Sequence, residues 1–272
     1  MNQIRPAAVA GTFYPGNAQV LNSDLEALLT QANPQNKTAP GPLPKALIVP
    51  HAGYIYSGPI AAKAYRRLEA GRGQITRVIL LGPAHRVAVR GLALPQASAF
   101  STPLGLVNID QATCNKILSL PQVLQSNAAH ALEHSLEVQL PFLQKVLGDF
   151  DLVPLVVGNA SAEEVAQVLD KLWGGPETLI VISSDLSHYL PYALAQHIDH
   201  QTSDMILHLQ TGITHEQACG GTPVNGLLLA AKQHGLKPEL LDLRNSGDTA
   251  GGPEQVVGYA AFAFTQEAHD VH

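Results

Sequence analysis

The sequence predicts an α/β fold: a single domain over residues 1–272, built on a mixed, largely parallel sheet flanked by helices. Three apolar runs carry the prediction: Ala46-Leu-Ile-Val49, Arg77-Val-Ile-Leu-Leu81 and Thr178-Leu-Ile-Val-Ile182. Each is long enough for a strand buried on both faces, as in a parallel sheet, and a helical pattern follows the first. Each also stops abruptly at polar residues. The first ends in Pro50 and His51, the second in Gly82-Pro-Ala-His85, and the third in Ser183-Ser-Asp185 with His188 a short turn on. In an open α/β sheet, ligands bind in the crevice beyond the carboxyl ends of the strands. The three endings therefore describe one rim.

The elements follow in order. Ala7 to Pro15 reads as an extended lead-in, and Leu21 to Ala32 as a helix with start signals at Asn22, Ser23 and Asp24. Asn33 to Pro44 is a Pro-rich surface connection. After the first buried strand, Pro59 to Leu68 has helical spacing, so the strands ending at His51 and His85 should form a parallel pair with a right-handed crossover. Val89 to Leu94 and Leu104 to Ile109 read as short strands, and Gln111 to Leu120 as a helix. His130 to Leu147 is predicted helical, with Pro141 interrupting or delimiting it. Asp151 to Val157 is another buried strand, and Ala162 to Trp173 a helix closed by Gly174-Gly-Pro176. A helix around Tyr192 to Leu209 and a second with Thr222 as N-cap, Pro223 next and Gly235 past its end come after the third strand. Strands over Glu239–Leu243 and residues 255–264 flank the Gly-rich loop Ser246 to Gly252.

Composition narrows the class. Apolar residues make up 46% of the chain and charged ones 14%, the balance of a compact globular protein. A net charge of −6 with no basic block gives nucleic acid no electrostatic footprint. No apolar run approaches the ~20 residues of a membrane span, and Met-Asn-Gln-Ile-Arg-Pro lacks the apolar core of a signal peptide, so cytoplasmic residence is expected. Two cysteines, Cys114 and Cys219, are too few for a disulfide framework. Twelve histidines against 16 Lys+Arg make metal chemistry worth pursuing.

His51 and His85 stand at two strand ends, and neutral imidazole is a common metal ligand. A buried histidine bonded to backbone is the alternative for either alone; the pair favours ligands. Asp185 and His188 could complete a coordination sphere or act as an acid/base pair, the alternative being an Asp N-cap. His130, His134 and Glu137 would share one face of a helix. Spacing alone reads them as a solvated polar face opposite Leu132, Leu136, Leu140 and Leu143. Cys219, just before a helix N-terminus whose partial positive charge lowers a thiol pKa, could be a ligand or a nucleophile. Cys114, inside a predicted helix, reads as a small packed hydrophobe. The loop after Ser246 reads as a plain turn, since no P-loop or dinucleotide fingerprint is present. No Gly-x-Ser-x-Gly elbow is present either.

Several phrases together resemble the Memo-like family, known in bacteria and archaea as the AmmeMemoRadiSam system protein B group. They are Arg5-Pro-Ala-Ala-Val-Ala-Gly-Thr-Phe-Tyr-Pro15, Pro50-His-Ala-Gly-Tyr-Ile-Tyr-Ser-Gly58, Leu81-Gly-Pro-Ala-His85, Glu133-His-Ser-Leu-Glu-Val-Gln-Leu-Pro141, Ser183-Ser-Asp-Leu-Ser-His188, Cys219-Gly220 and Val256-Val-Gly-Tyr-Ala-Ala261. The resemblance implies a fold similar to the class III extradiol (LigB-type) non-haem iron dioxygenases. It also implies a metal, iron first with copper or zinc as alternatives, on residues that match His51, His85 and Cys219. Asp185 and His188 match a polar pair in the same pocket, and His134, Glu137 and Tyr54 match residues around it. A thiolate in place of the carboxylate of the dioxygenase relatives softens the site toward Cu(I) or zinc. Two functions follow: a metal-dependent oxidoreductase acting on a small molecule, or an accessory protein binding a ligand or peptide without turnover. A hydrolytic zinc enzyme is a weaker third. The family name also points to AMMECR-type and radical-SAM proteins as partners.

Overall fold

The computed structural model describes residues 3–32 and 41–266; most of the Pro-rich connection lies outside them. A short β1 (Ile4–Arg5) opens the described chain. A tight turn follows, not the extended lead-in predicted. Gly11 sits at φ +83°, its amide donates to the Tyr14 carbonyl, and Ala10 bridges Tyr14. Helix α1 (Ala18–Gln31) starts three residues before the predicted Leu21. Asn17 caps it, its side-chain oxygen accepting from the Gln19 and Val20 amides, while Leu21, Leu25 and Leu29 form the buried stripe.

After β2 (Ala46–Val49) comes α2 (Tyr54–Arg66), which starts five residues before the predicted Pro59. Pro59 lies inside the helix at the loss of one backbone bond. The extra turn is held because the Gly53 carbonyl accepts from the Tyr56 and Ser57 amides, and the Ser57 hydroxyl donates to the Ala52 carbonyl. Next are β3 (Arg77–Pro83), β4 (Leu92–Leu94), β5 (Ala99–Thr102), β6 (Gly105–Asn108), α3 (Gln111–Ile117) and β7 (Val123–Gln125).

The stretch predicted as one helix from His130 to Leu147 is broken. Ser126 caps a short α4 (Asn127–Ala131), a loop follows, one 3-10 turn spans Glu137–Gln139, and α5 (Leu140–Leu147) begins just before Pro141. The predicted polar face is buried, not solvated, while Leu136, Leu140 and Leu143 are buried as predicted. Leu132 is 66% exposed, whereas His130, Glu133 and Glu137 are each at most 2% exposed. Helical spacing misled because these polar side chains have internal partners, described below.

The chain continues through β8 (Asp151–Val157), α6 (Ala162–Leu172), β9 (Thr178–Ser183), β10 (His188–Leu190), α7 (Tyr192–Leu207), α8 (Gly221–Gln233), β11 (Leu236–Asn245) and β12 (Val256–Gln266). Helix α6 has a full capping box, Ser161 with Glu164. Helix α8 is capped by Gly220, two residues before the predicted Thr222.

The main sheet runs β10-β12-β2-β9-β3-β8-β4-β7, with β11 paired to β12; β1, β5 and β6 form a small separate sheet. Its centre, β2-β9-β3-β8, is parallel, and β12 and β4 join that centre antiparallel. This is the mixed sheet flanked by helices that the sequence predicts, consistent with a LigB-like fold. One connection differs. β2 and β3 are not paired, because β9 is inserted between them. A crossover fixes direction and hand, and a later strand is free to enter the gap. The insertion places the Asp185 strand end between those of His51 and His85. Among the helices, α1, α2 and α5 pack together with α2 on β12 and β2, and α6 packs on α8, which lies on β3 and β9. Among the described residues, no helix is long and apolar enough to cross a membrane.

Candidate functional site

The parallel strands all end at one rim. His51 follows β2 by two residues, His85 follows β3 by two, and Asp185 follows β9 by two. The loop between α4 and α5 adds His134. Ring nitrogens of His51, His85 and His134 lie within 4.8 Å of one another, and the His85 and His134 rings stack at 4.7 Å. Cys219 Sγ stands 3.4 Å from His51 Nε2. Two glycines make the convergence possible. A Cβ at Gly82 would lie 2.7 Å from Ser135 Oγ, so only glycine lets the His134 loop press onto β3. A Cβ at Gly220 would lie 2.7 Å from the Ser184 side chain, so glycine brings the start of α8, and Cys219 with it, against the end of β9.

Hydrogen bonds decide which nitrogens face inward. Ser183 Oγ donates its single proton to the Ser135 carbonyl at 2.6 Å and accepts from Gln139 Nε2 at 2.7 Å. Its contact with His51 Nδ1, at 2.9 Å, must therefore be a bond that the histidine donates. His51 Nε2 is left with its lone pair on the cluster side, toward Cys219. Gln139 is fixed in turn by the Pro50 carbonyl and the Tyr65 hydroxyl. Glu133 does the same for His85: its Oε1 accepts from His85 Nδ1 at 2.9 Å and its Oε2 from the His85 amide at 2.6 Å. The same Oε1 accepts from the His134 and Ser135 amides. Burial works against the Glu133 charge, yet the His85 side chain and these amides hold its pKa down at about 2. His188 Nδ1 donates to the Leu186 carbonyl at 2.8 Å, which leaves Nε2 of that ring free as an acceptor.

Ligand atoms on one ion at 2.0–2.3 Å stand roughly 3.3–3.6 Å apart. The His51–Cys219 contact has that spacing; the three histidine nitrogens, within 4.8 Å of one another, would close by about 1 Å around an ion, with Cys219 beside His51. Imidazoles oriented by a hydroxyl and a carboxylate are the arrangement that metal-binding histidines adopt. The donor set fits a metal.

Asp185 is buried, and its Oδ1 accepts from the His51 amide at 2.7 Å. Burial raises its pKa despite that bond and the histidines around it. The Cys219 thiol departs from the sequence expectation. Burial, with the Asp185 charge added, pushes it up to about 12 and outweighs the helix terminus in the metal-free protein.

Other predicted residues lie away from the rim. The Tyr54 ring packs against Tyr14 and Phe142, and its hydroxyl donates to the Val138 carbonyl, so it is a core residue and no part of the cleft lining. Glu137 faces the N-terminal segment. It pairs with Arg5, and accepts from the Ala8 and Val9 amides and the Tyr14 hydroxyl. His130 is buried with Nε2 2.8 Å from the Ala93 carbonyl, and Cys114 is buried on α3. The loop after Asn245 is a capped 3-10 turn. Glu133, Ser183 and Gln139 are the residues that sequence reasoning missed. Their signal was present, since each sits within four residues of His134, Asp185 or Glu137.

A cleft of about 1070 Å³ opens beside the cluster, with His85, His188 and Cys219 in its lining. Asp185 and His51 are buried and outside that lining; His51 meets it through Cys219.

Acid stability should report the buried histidines. Burial lowers His51 to about 3 and His130 and His134 to about 4, with His85 repelling charge on His51. The unfolded chain takes up these protons near pH 6.5 and the native state does not. Stability is therefore expected to be full above about pH 6.5 and to fall steadily toward pH 4. Urea midpoints of metal-free protein from pH 7.5 to 4 check this; a flat profile would show that these imidazoles are not held neutral.

Comparison with known proteins agrees with this architecture. A Memo-like protein family description matches residues 5–263. A MEMO1 family protein of Aquifex aeolicus (strain VF5) is 38% identical over 96% of this chain and 99% of its own length. Another, from Ignicoccus hospitalis, is 35% identical over 96% and 98%. Among solved structures, an uncharacterised protein from Escherichia coli K12 shares the fold at a TM-score of 0.51 and 15% identity, covering 79% of this chain and 98% of that one. Matched from Arg5 to Ala263 and aligned nearly end to end with these relatives, the chain belongs to the Memo-like family.

Proposed function

We propose that the rim is the metal centre of a non-haem, metal-dependent oxidoreductase acting on a small organic molecule. The observation that carries this reading is the convergence of His51 and His85, each locked by its Nδ1 partner so that Nε2 stays free for an ion. Cys219 is the third ligand by its contact with His51, and His134 is within reach as a fourth or as a substitute. A redox-active ion there would supply electron transfer and polarise a bound oxygen atom. Iron is the first candidate, and the thiol brings copper and zinc into range. The chain itself moves protons. Asp185, whose pKa burial raises, is the nearest carboxyl for proton exchange, while His188 Nε2 can accept a proton at the edge of the cleft.

Anaerobic titration of Fe(II), Cu(I) and Zn(II) into chelator-treated protein tests the centre. Wild type should take up one ion tightly, with sulfur-to-metal charge-transfer absorption for a redox-active metal. Cys219→Ser should lose that absorption and bind more weakly, and Cys114→Ser should match wild type. An unchanged spectrum in Cys219→Ser would make His134 the third ligand. No tight binding by any of the ions would remove the proposal. Full metal loading without oxygen consumption or turnover across a panel of small organic compounds would favour a ligand-binding accessory role.

A further inference from the structure

The cleft beside the cluster has a chemistry of its own. Its walls include Val89, Val157, Leu190 and Ile198, which come from four different segments. Apolar side chains thus surround a space at the upper end of the range for small-molecule pockets. No lysine or arginine lines it, and its one carboxylate is that of Glu216, an exposed residue. Sites that hold phosphate or carboxylate groups use arginine or lysine to do so. The remaining polar lining includes imidazoles, the Cys219 thiol, Thr222 and side-chain amides, those of Asn159 and Gln201 among them.

The backbone at Tyr189 adds a second observation. Tyr189 adopts φ +55°, in the left-handed region where glycine is the default and an aromatic residue is disfavoured. The sheet register shifts between His188 and Leu190, so three successive residues, His188, Tyr189 and Leu190, all reach the cleft. A regular strand would send alternate residues to opposite faces. Tyr189 is 69% exposed and its ring lies 5.8 Å from that of His188. The bulge thus sets an aromatic face beside the proton-handling group instead of turning it away.

We infer that this cleft binds an uncharged organic molecule with an apolar body, its polar end at the histidine cluster and its body between Tyr189 and the aliphatic walls. As a statement of the oxidoreductase's substrate class it rests on the function proposed above. As a statement about the cleft it is tested without metal.

Isotope-labelled, chelator-treated full-length protein is titrated with 1-butanol, 1-hexanol and 1-octanol, and with hexanoate and hexylamine, and followed by amide NMR. Amide shifts should cluster at Gly158, Leu190 and Ile198. Affinity for the alcohols should rise about threefold to fourfold per added methylene. Hexanol should bind at least tenfold more tightly than hexanoate or hexylamine. Ile198→Asn should flatten the dependence on chain length, and Leu190→Asn serves if that variant does not fold. The inference is overturned if hexanoate or hexylamine binds more tightly, if affinity does not grow with chain length, or if the shifts map elsewhere. Hexanol binding that survives in His51→Ala after metal binding is lost separates this inference from the metal reading: the cleft can stand without the metal, and the metal without the cleft.

Discussion

His51→Ala is expected to fold normally and to bind divalent metal at least a hundredfold more weakly than wild type. Removing an outer partner of a metal-binding histidine typically costs tenfold to a hundredfold in affinity, and losing the ligand itself costs more. The fold should survive because the groups that held the imidazole keep other partners: Ser183 Oγ still meets the Ser135 carbonyl and the Gln139 amide. Ser183→Ala is the graded comparison. It frees His51 to take either tautomer while leaving the ring in place, so its affinity should fall between the two, about tenfold below wild type. Competition titrations against a chromophoric chelator measure all three proteins. If His51→Ala binds like wild type, the convergence at the rim is not a metal site.

Arg5→Ala should destabilise the protein by about 3–5 kcal/mol, the usual effect of leaving one half of a buried ion pair alone. Glu137 is fully buried, and Arg5 is its cationic partner. The guanidinium does more than neutralise. Nη2 donates to the Glu133 carbonyl and Nε to the His130 carbonyl, and the group lies over the Phe100 ring at 5.0 Å. Arg5→Lys should recover little of the loss, because one ammonium cannot reproduce a fork that reaches three acceptors. Urea denaturation decides the matter; a loss under about 1 kcal/mol would mean the carboxylate is adequately held by Tyr14 and the amides alone. Because Arg5 grips both ends of the loop that carries Glu133 and His134, the truncated protein should also bind metal less tightly than wild type.

The parts of the fold written in continuous apolar runs were legible in the sequence. β2, β3, β8 and β9 are buried on both faces, so no alternation was needed to find them, and their polar endings named the rim at His51, His85 and Asp185. The loop around His134 was not legible, because helical spacing is evidence for a helix only when the polar face meets water. Here Glu133 is turned to His85 and Glu137 to Arg5, partners 48 and 132 residues away. Single-chain periodicity carries no trace of contacts at such separations. The same blindness hid the insertion of β9 between β2 and β3. Resemblance alone places Tyr54 near the pocket; its ring instead packs on Tyr14 and Phe142, far off in the sequence.

The His51–Cys219 contact joins residues 168 positions apart, and the other rim groups arrive from three further segments of the chain. A partly folded chain therefore holds no weak version of the proposed centre, since the proposed ligands meet only once β2, β9, β3 and the start of α8 are all docked. Sheets assembled from such distant pieces form slowly. An ion that binds only the finished rim adds about 2.7 kcal/mol of stability at a hundred times its dissociation constant. Metal uptake would then mark the last event of maturation, and a chain that stalled earlier would be told apart by its failure to retain the ion.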